Sequence, residues 1–443
     1  MKLYLILAGF LFAQIAMAQE AESDSALKIW SLEDCISYAV ENNITVKDAN
    51  LDVAISDVSY GAAKSAKLPN LFGSASQSFS NGTTIDPITS DYVSDQIHNT
   101  NLGINSSLTL YQGNQLSNQV LQNKLLTEQN SLLAEEAKNS IVVGILETYL
   151  QALYSKEGIS ISKNNLDASE KEVQRAKSRL DAGSIALSDY TEAQSQAATN
   201  KYNVIAAKND YELNIITLKQ LLELSPLENL EIETIDENMD LIHLELNKEE
   251  IYRNALAYLP EVEASNTNIL INEKDLDIAK GGYLPTLSLT GSLGSGYTSI
   301  SDTSFTDQLD LNFNQRVGLS LSIPIFNRNQ TKAAVKAAAI NIEKAEIQKR
   351  TIEKEVIKKV ETAYQNTLSS QEQLVAAQVS QDAAEQSYKL AEKKYELGAL
   401  STTDLVISQN TYTNAQQNYI QAKYLNILYH QLLQFYQGNE IKL

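Results

Sequence analysis

Two periodicities alternate along the chain, and the whole alternation then runs a second time. From Ser31 to Lys67 apolar residues recur at helical spacing, with Ser31 as a candidate N-cap and Asp34 three positions on. Pro69 stops that helix. The period then drops to two. Leu102, Ile104, Leu108 and Leu110 alternate with Gly103, Asn105, Ser107 and Thr109, which predicts a strand over about 100–111 with one apolar and one polar face. A weaker partner strand is predicted at about 70–80, and the polar segment 81–101 reads as the loop between them. The helical period returns at Gln112 and continues without proline to Asp181, 70 residues or about 105 Å long. Within it Ile141, Ile145, Tyr149 and Ala152 are spaced as a packed helix seam requires. A return helix follows over 189–224, and Pro226 ends it.

The second run has the same order. A helix is predicted from Glu249 to Lys280, stopped by Pro285, then strands at 286–297 and 311–325. The last is the clearest: Leu311, Phe313, Val317, Leu319, Leu321 and Ile323 on one face, Asn312, Asn314, Arg316, Gly318, Ser320 and Ser322 on the other. A long helix over 327–396 and a return helix over 403–436 complete it. Glu33, Lys64 and Pro69 lie 216 positions before Glu249, Lys280 and Pro285, and Tyr111, Ile145 and Tyr149 lie 215 before Phe326, Val360 and Tyr364. This is a tandem duplication, 19–230 and 247–443, joined by an acidic connection at 231–246 with room for a short strand.

The stretch 176–196 and its copy at 391–411 stand at the turns between long and return helices. Gly183 pairs with Gly398, Asp189 with Asp404 and Gln194 with Gln409, each 215 apart. A glycine just past a helix end supplies a left-handed C-cap. Ser188 and Thr403 are the expected N-caps of the return helices, with Asp189 and Asp404 in their first turns. Both stretches therefore read as tight helical hairpins.

Composition changes the picture in three ways. Residues 1–18 read as a secretory signal: Lys2, an apolar run from Leu3 to Phe12, and Ala16-Met17-Ala18 before Gln19. No later apolar run reaches the 18 residues of a membrane helix. With 55 acidic against 35 basic residues and a net charge of −20, nucleic acid is not an expected partner. Catalytic and metal chemistry find no foothold. His98, His243 and His430 are far apart, and Cys35, the single cysteine, reads as a buried apolar position. There is no phosphate-binding G-x-x-x-x-G-K motif, and Gly291, Gly294 and Gly296 have no following helix, so they read as strand glycines. No cofactor and no enzymatic activity are expected.

Four alternating strands leave an open sheet, and a sheet in lipid must close to satisfy its edges. The smallest bacterial barrels need about eight strands, so several copies must pool theirs. With the duplication, the strand-to-helix junctions LTLYQGNQ (108–115) and LSIPIFNRNQ (321–330) and the paired tips, the chain resembles the TolC-like outer-membrane efflux proteins over essentially its whole mature length. The resemblance implies a mainly α fold with a β-barrel part. Duplicated coiled-coil helices and four transmembrane strands per chain would close as a homotrimeric, twelve-stranded barrel continued by an α-helical tunnel through the periplasm. Leu102, Ile104, Leu108, Val317, Leu319, Leu321 and Ile323 would face outer-membrane lipid. A periplasmic adaptor would dock at Gly183, Ser188, Gly398 and Thr403, joining the duct to an inner-membrane pump of RND, ABC or MFS type. Asp189, Tyr395, Leu400 and Asp404 would form the gate. Tyr395 and Asp189 match a polar link of the family, and Asp404 matches an aspartate ring. Leu400 stands where relatives carry a linking arginine, and Ile407 where they carry a second aspartate. The function implied is passive export in a tripartite efflux or type I secretion system; a coiled-coil scaffold without a pore is the alternative.

Overall fold

The computed structural model describes residues 29–85, 89–235 and 247–442. The signal segment and most of the 231–246 connection lie outside the described residues. The fold is mainly helical, with one four-stranded sheet, and divides into two units. The sheet unit takes Asp48–Glu135 and Pro260–Glu355; the helical unit takes the chain up to Lys47, Glu136–Leu259 and Val356–Leu443.

Each repeat opens with two helices where the sequence predicts one. Helices α1 (Leu32–Asn42) and α2 (Ile44–Ser65) part at Asn43; α5 (Lys248–Tyr258) and α6 (Pro260–Gly281) part at Leu259. The two breaks are 216 positions apart, so they belong to the duplication. Their chemistry differs. Asn43 accepts from the Thr45 amide at 2.8 Å, capping α2, while its own amide donates to the Leu221 carbonyl at 2.9 Å. In the second repeat Pro260 occupies the first position of α6, where its missing N–H is no loss. The expected capping box at the start of α1 is present, Ser31 accepting from the Asp34 amide at 3.1 Å.

In the sheet unit, β2 (Phe72–Ile85), β3 (Tyr92–Gln112), β5 (Thr286–Thr298) and β6 (Asn314–Ser322) pair antiparallel in the order β2-β3-β5-β6. The first hairpin is longer than expected. Ile85 pairs with Tyr92, so Asn81–Ile85 and Tyr92–Asn101 are ladder and not loop. Serines, asparagines and threonines with few apolar residues hid these strand ends, yet the backbone pairing needs no apolar side chain. The second hairpin is shorter than expected. Leu311 ends a helix, α7 (Phe305–Leu311), Phe313 precedes β6, and Ile323 follows it. Ser304 caps α7 by accepting from the Asp307 amide at 3.2 Å. The buried Gln308 bonds both the amide and the carbonyl of Thr298, at 2.9 and 3.0 Å, which fixes the helix on the end of β5.

After each hairpin the chain turns into a long helix, α3 (Gln115–Asp181) or α8 (Gln330–Glu396), each 67 residues or about 100 Å. Gly113 and Asn114 make the first turn at φ +56° and +60°; Arg328 and Asn329 make the second at +55° and +62°. A Cβ on Gly113 would collide with the Gly281 carbonyl, so that position needs glycine for space as well as for φ.

The helical unit also holds the return helices α4 (Leu187–Leu221) and α9 (Thr402–Tyr436). Its core includes Cys35, Ala39, Ile145, Tyr149, Leu153, Leu218 and Leu433. The short strand β4 (Glu231–Ile232), from the expected connection, pairs parallel with β1 (Ile29–Trp30). Tyr149 holds the pair: its buried hydroxyl lies 3.0 Å from the carbonyls of both Trp30 and Glu233.

Candidate functional site: the helical tips and the apolar sheet face

Both tips close with the same backbone motif. At the first, Gly183 takes φ +70°, its amide donates to the Leu180 carbonyl at 2.8 Å, and the Ser184 amide donates to Arg179 at 2.9 Å. At the second, Gly398 takes φ +74°, its amide donates to Tyr395 at 3.0 Å, and the Ala399 amide donates to Lys394 at 2.9 Å. These are Schellman caps, and they satisfy carbonyls the helix itself leaves open. Nothing stands within 4 Å of where a Cβ would be on either glycine. The requirement is therefore φ alone, and each glycine is exposed at the very end of its hairpin.

The N-caps are each two positions earlier than expected. Ala186 caps α4 and Ser401 caps α9, which puts Ser188 and Thr403 inside the first turn, exposed, and Asp189 and Asp404 at the third helical position. The shift has a physical reason: an aspartate at that position reaches back over the cap. Asp189 accepts from the Ala186 amide at 3.2 Å. Ser401 accepts from the Asp404 amide at 3.2 Å and donates to its carboxylate at 2.7 Å.

The expected pair of Tyr395 with Asp189 is not brought together. Tyr395 is buried, 3% exposed, and its hydroxyl meets Thr402 at 3.4 Å. The Asp189 carboxylate is engaged at its own helix N-terminus. Leu400 is half-buried, and Ile407 is exposed.

One tie between the two hairpins comes from a residue that no local pattern singles out. Arg179, in the last turn of α3, donates to the carbonyls of Tyr395 and Glu396 at 3.3 and 3.2 Å. Its guanidinium also stands 5.0 Å from the Tyr395 ring centroid. A cation thus sits on the C-terminal carbonyls of α8, where the helix dipole is negative. One turn back, Arg175 meets the Glu396 carboxylate at 3.3 Å. That pair is about half exposed on both sides and contributes little. Burial, and the Glu172 carboxyl facing it, push the Tyr395 hydroxyl above the usual tyrosine range. A basic residue in the last turn of α3 was the available signal, but nothing local shows that its partner is a different helix.

On the sheet, the cross-strand register gathers one apolar face. Val317, Leu319 and Leu321 lie opposite Gly291, Leu289 and Leu287. Leu289, Leu293 and Ser295 lie opposite Leu108, Ile104 and Leu102. Directly opposed residues share a face, so six of the seven expected lipid-facing residues do so; Ile323 lies one residue past the strand. Val317 is 81% exposed and Leu319 66%. The other face carries Asn101, Asn105, Ser107, Ser288, Thr290, Ser292, Arg316 and Ser320.

An amphipathic antiparallel sheet, duplicated together with very long hairpinned helices, is the architecture of an outer-membrane channel protomer. The family described as "Outer membrane efflux protein" matches residues 35–223 and again 251–433, once per repeat. The chain belongs to that family and is an outer-membrane protein. It is 25% identical to Outer membrane protein TolC of Escherichia coli (strain K12) over 315 residues, 67% of this chain and 60% of that relative. It is 23% identical to Outer membrane efflux protein BepC of Brucella suis biovar 1 over 396 residues, 89% of this chain and 82% of the relative. The fold matches the Campylobacter jejuni CmeC outer membrane channel with a TM-score of 0.81 at 18% identity, covering 92% of this chain and 85% of that one.

Proposed function

We propose that the chain is one protomer of a passive exit duct for efflux or secretion across the outer membrane. Three copies pool their four-stranded sheets into one twelve-stranded barrel, and the long helices continue it as a periplasmic tunnel. The observation that carries this reading is the sheet. One face is apolar and exposed, the other polar, and among the described residues β2 and β6 each pair on one side only. An unpaired backbone group in lipid costs several kcal/mol, so the edges must find strands from further copies. On this reading Gly183, Ser188, Gly398 and Thr403 meet a periplasmic adaptor. Asp189, Leu400 and Asp404 border the aperture, with Tyr395 buried beside Thr402 as part of the gate. Energy for transport comes from an inner-membrane pump of RND, ABC or MFS type.

Reconstitution in planar lipid bilayers tests it. A steady ion conductance and a trimeric mass in nanodiscs are expected. Leu319→Arg, on the apolar face, should cost about 2–4 kcal/mol of barrel stability, and Ser320→Arg, on the polar face, distinctly less. A monomer without conductance would return the coiled-coil scaffold as the better account; equal losses at the two positions would mean a sheet buried on both sides.

A further inference from the structure

Glu172 lies on α3, about three turns before Gly183, on the side that meets α8 and α9. Its side chain is 13% exposed, and its Oε1 is buried with no hydrogen-bond donor reaching it. The other oxygen is 3.8 Å from Arg175, which is closer to Glu396, at 3.3 Å. Glu172 borders a cavity of about 260 Å³ that α3, α4, α8 and α9 line together. A buried carboxylate with an empty acceptor is costly unless it is protonated or the elements around it separate.

The groups around it come from every side. On α3 these are Arg175 and Arg179, with Asp167 and Lys171 on the same cavity. From α8 come Glu392, the Tyr395 hydroxyl and Tyr388, the last stacked on Tyr412 of α9. From α9 itself Thr402 and Gln409 line the cavity, and from α4 Ala193 and Gln196, none of them charged. Burial raises the affinity of Glu172 for a proton; the Tyr395 hydroxyl and the two arginines oppose this, and Glu392 adds to it. The net direction is upward.

We propose that Glu172 is a proton-operated latch between the two hairpins. This rests on the reading of the chain as a gated duct, which it deepens. Protonated, Glu172 is neutral and can donate to Glu392 or to the Tyr395 oxygen, so α3 holds α8. Ionised, it keeps the Tyr395 hydroxyl and the arginines, but it is a poorly hydrated charge beside a second carboxylate, and separation of the helices restores its hydration. The arrangement with α3 and α8 in contact is therefore fully available below the ordinary glutamate pKa. It weakens as pH rises through the raised value. Acid closes the tip and neutral pH loosens it.

The test uses the full-length protein in lipid bilayers and nanodiscs between pH 7.5 and 4.5. Wild-type open probability is expected to fall at least threefold as the pH drops, with a midpoint above the usual glutamate value. Glu172→Gln, neutral at every pH, should stay at the low-pH level throughout, and Glu392→Gln should move the midpoint down. Hydrogen exchange at 388–398, corrected for intrinsic rates, should lose protection with rising pH in wild type and not in Glu172→Gln. That arm needs no current. Absence of any conductance counts against the duct, while equal pH dependence of protection in both proteins overturns the latch whether or not a pore is seen.

Discussion

Gly183 and Gly398 stand 215 positions apart, at φ +70° and +74°, and close the same two hydrogen bonds behind the same length of helix. The residues four positions before them, Arg179 and Lys394, each accept one of those bonds on the carbonyl. Their side chains behave differently. Arg179 crosses to the carbonyls at the end of α8, whereas Lys394 is exposed at the surface. The comparison separates two levels of the duplication. The backbone of each tip is set by local rules and survives as a copy. The contacts between tips are not copied, because a chain that holds one copy against another gives the two different neighbours. Conversely, Tyr395 is buried while its counterpart in the first tip, Leu180, is only half-buried.

The backbone rule shared by the tips rests most heavily on the glycines. Gly183→Val and Gly398→Val should each cost about 1–3 kcal/mol of local stability, since a β-branched residue is strained at positive φ. The two losses should agree, because neither site is crowded. Hydrogen-exchange protection of the last turn of α3 and of α8 reads them separately. A large loss at one tip and none at the other would mean that packing, and not φ, selects glycine.

The side chains of the two tips part company at Arg179 and Lys394. Arg179→Ala removes two bonds from a cation to carbonyls, each worth about 1.5–3 kcal/mol at most and less at this half-buried site. A loss of about 1–2 kcal/mol in contact between hairpins is expected, with higher conductance. Lys394→Ala should stay within about 0.5 kcal/mol. Equal effects would put the tie elsewhere, and Tyr395→Phe combined with Arg179→Ala would then locate it through the coupling between the two changes.

The duplication, the long helices and the tip glycines were legible in the sequence because each is encoded locally, in a period or a turn residue. The apolar face of the sheet was legible for the same reason, down to Val317, Leu319 and Leu321. Three features were not. The breaks at Asn43 and Leu259 depend on a side chain reaching Leu221 and on a proline that still permits helix on both sides. The extension of the first hairpin to Ile85 and Tyr92 uses polar residues that read as loop. Arg179 is one of many basic residues on helix surfaces, and only the approach of α8 singles it out. Within the chain the Asp189 carboxylate takes a partner nearer in sequence than Tyr395, the amide of its own N-cap.

That nearer partner leads to the smallest effect and the finest discrimination. Ser401 satisfies the Asp404 amide with its hydroxyl, and Ala186, in the same place on the first tip, has no side chain to offer. The first tip therefore leans on the Asp189 carboxylate alone, the second on a reciprocal pair. Ser401→Ala should lower the protection of the first amides of α9 by about 1 kcal/mol, and Ala186→Ser should raise that of α4 by about 0.5–1 kcal/mol. With a serine at 186 the Asp189 carboxylate keeps its place, so conductance should not move. If Ala186→Ser instead altered conductance while leaving the amides of α4 unchanged, Asp189 would be serving the gate and not its helix. The asymmetry between the tips would then lie in the carboxylates and not in Arg179.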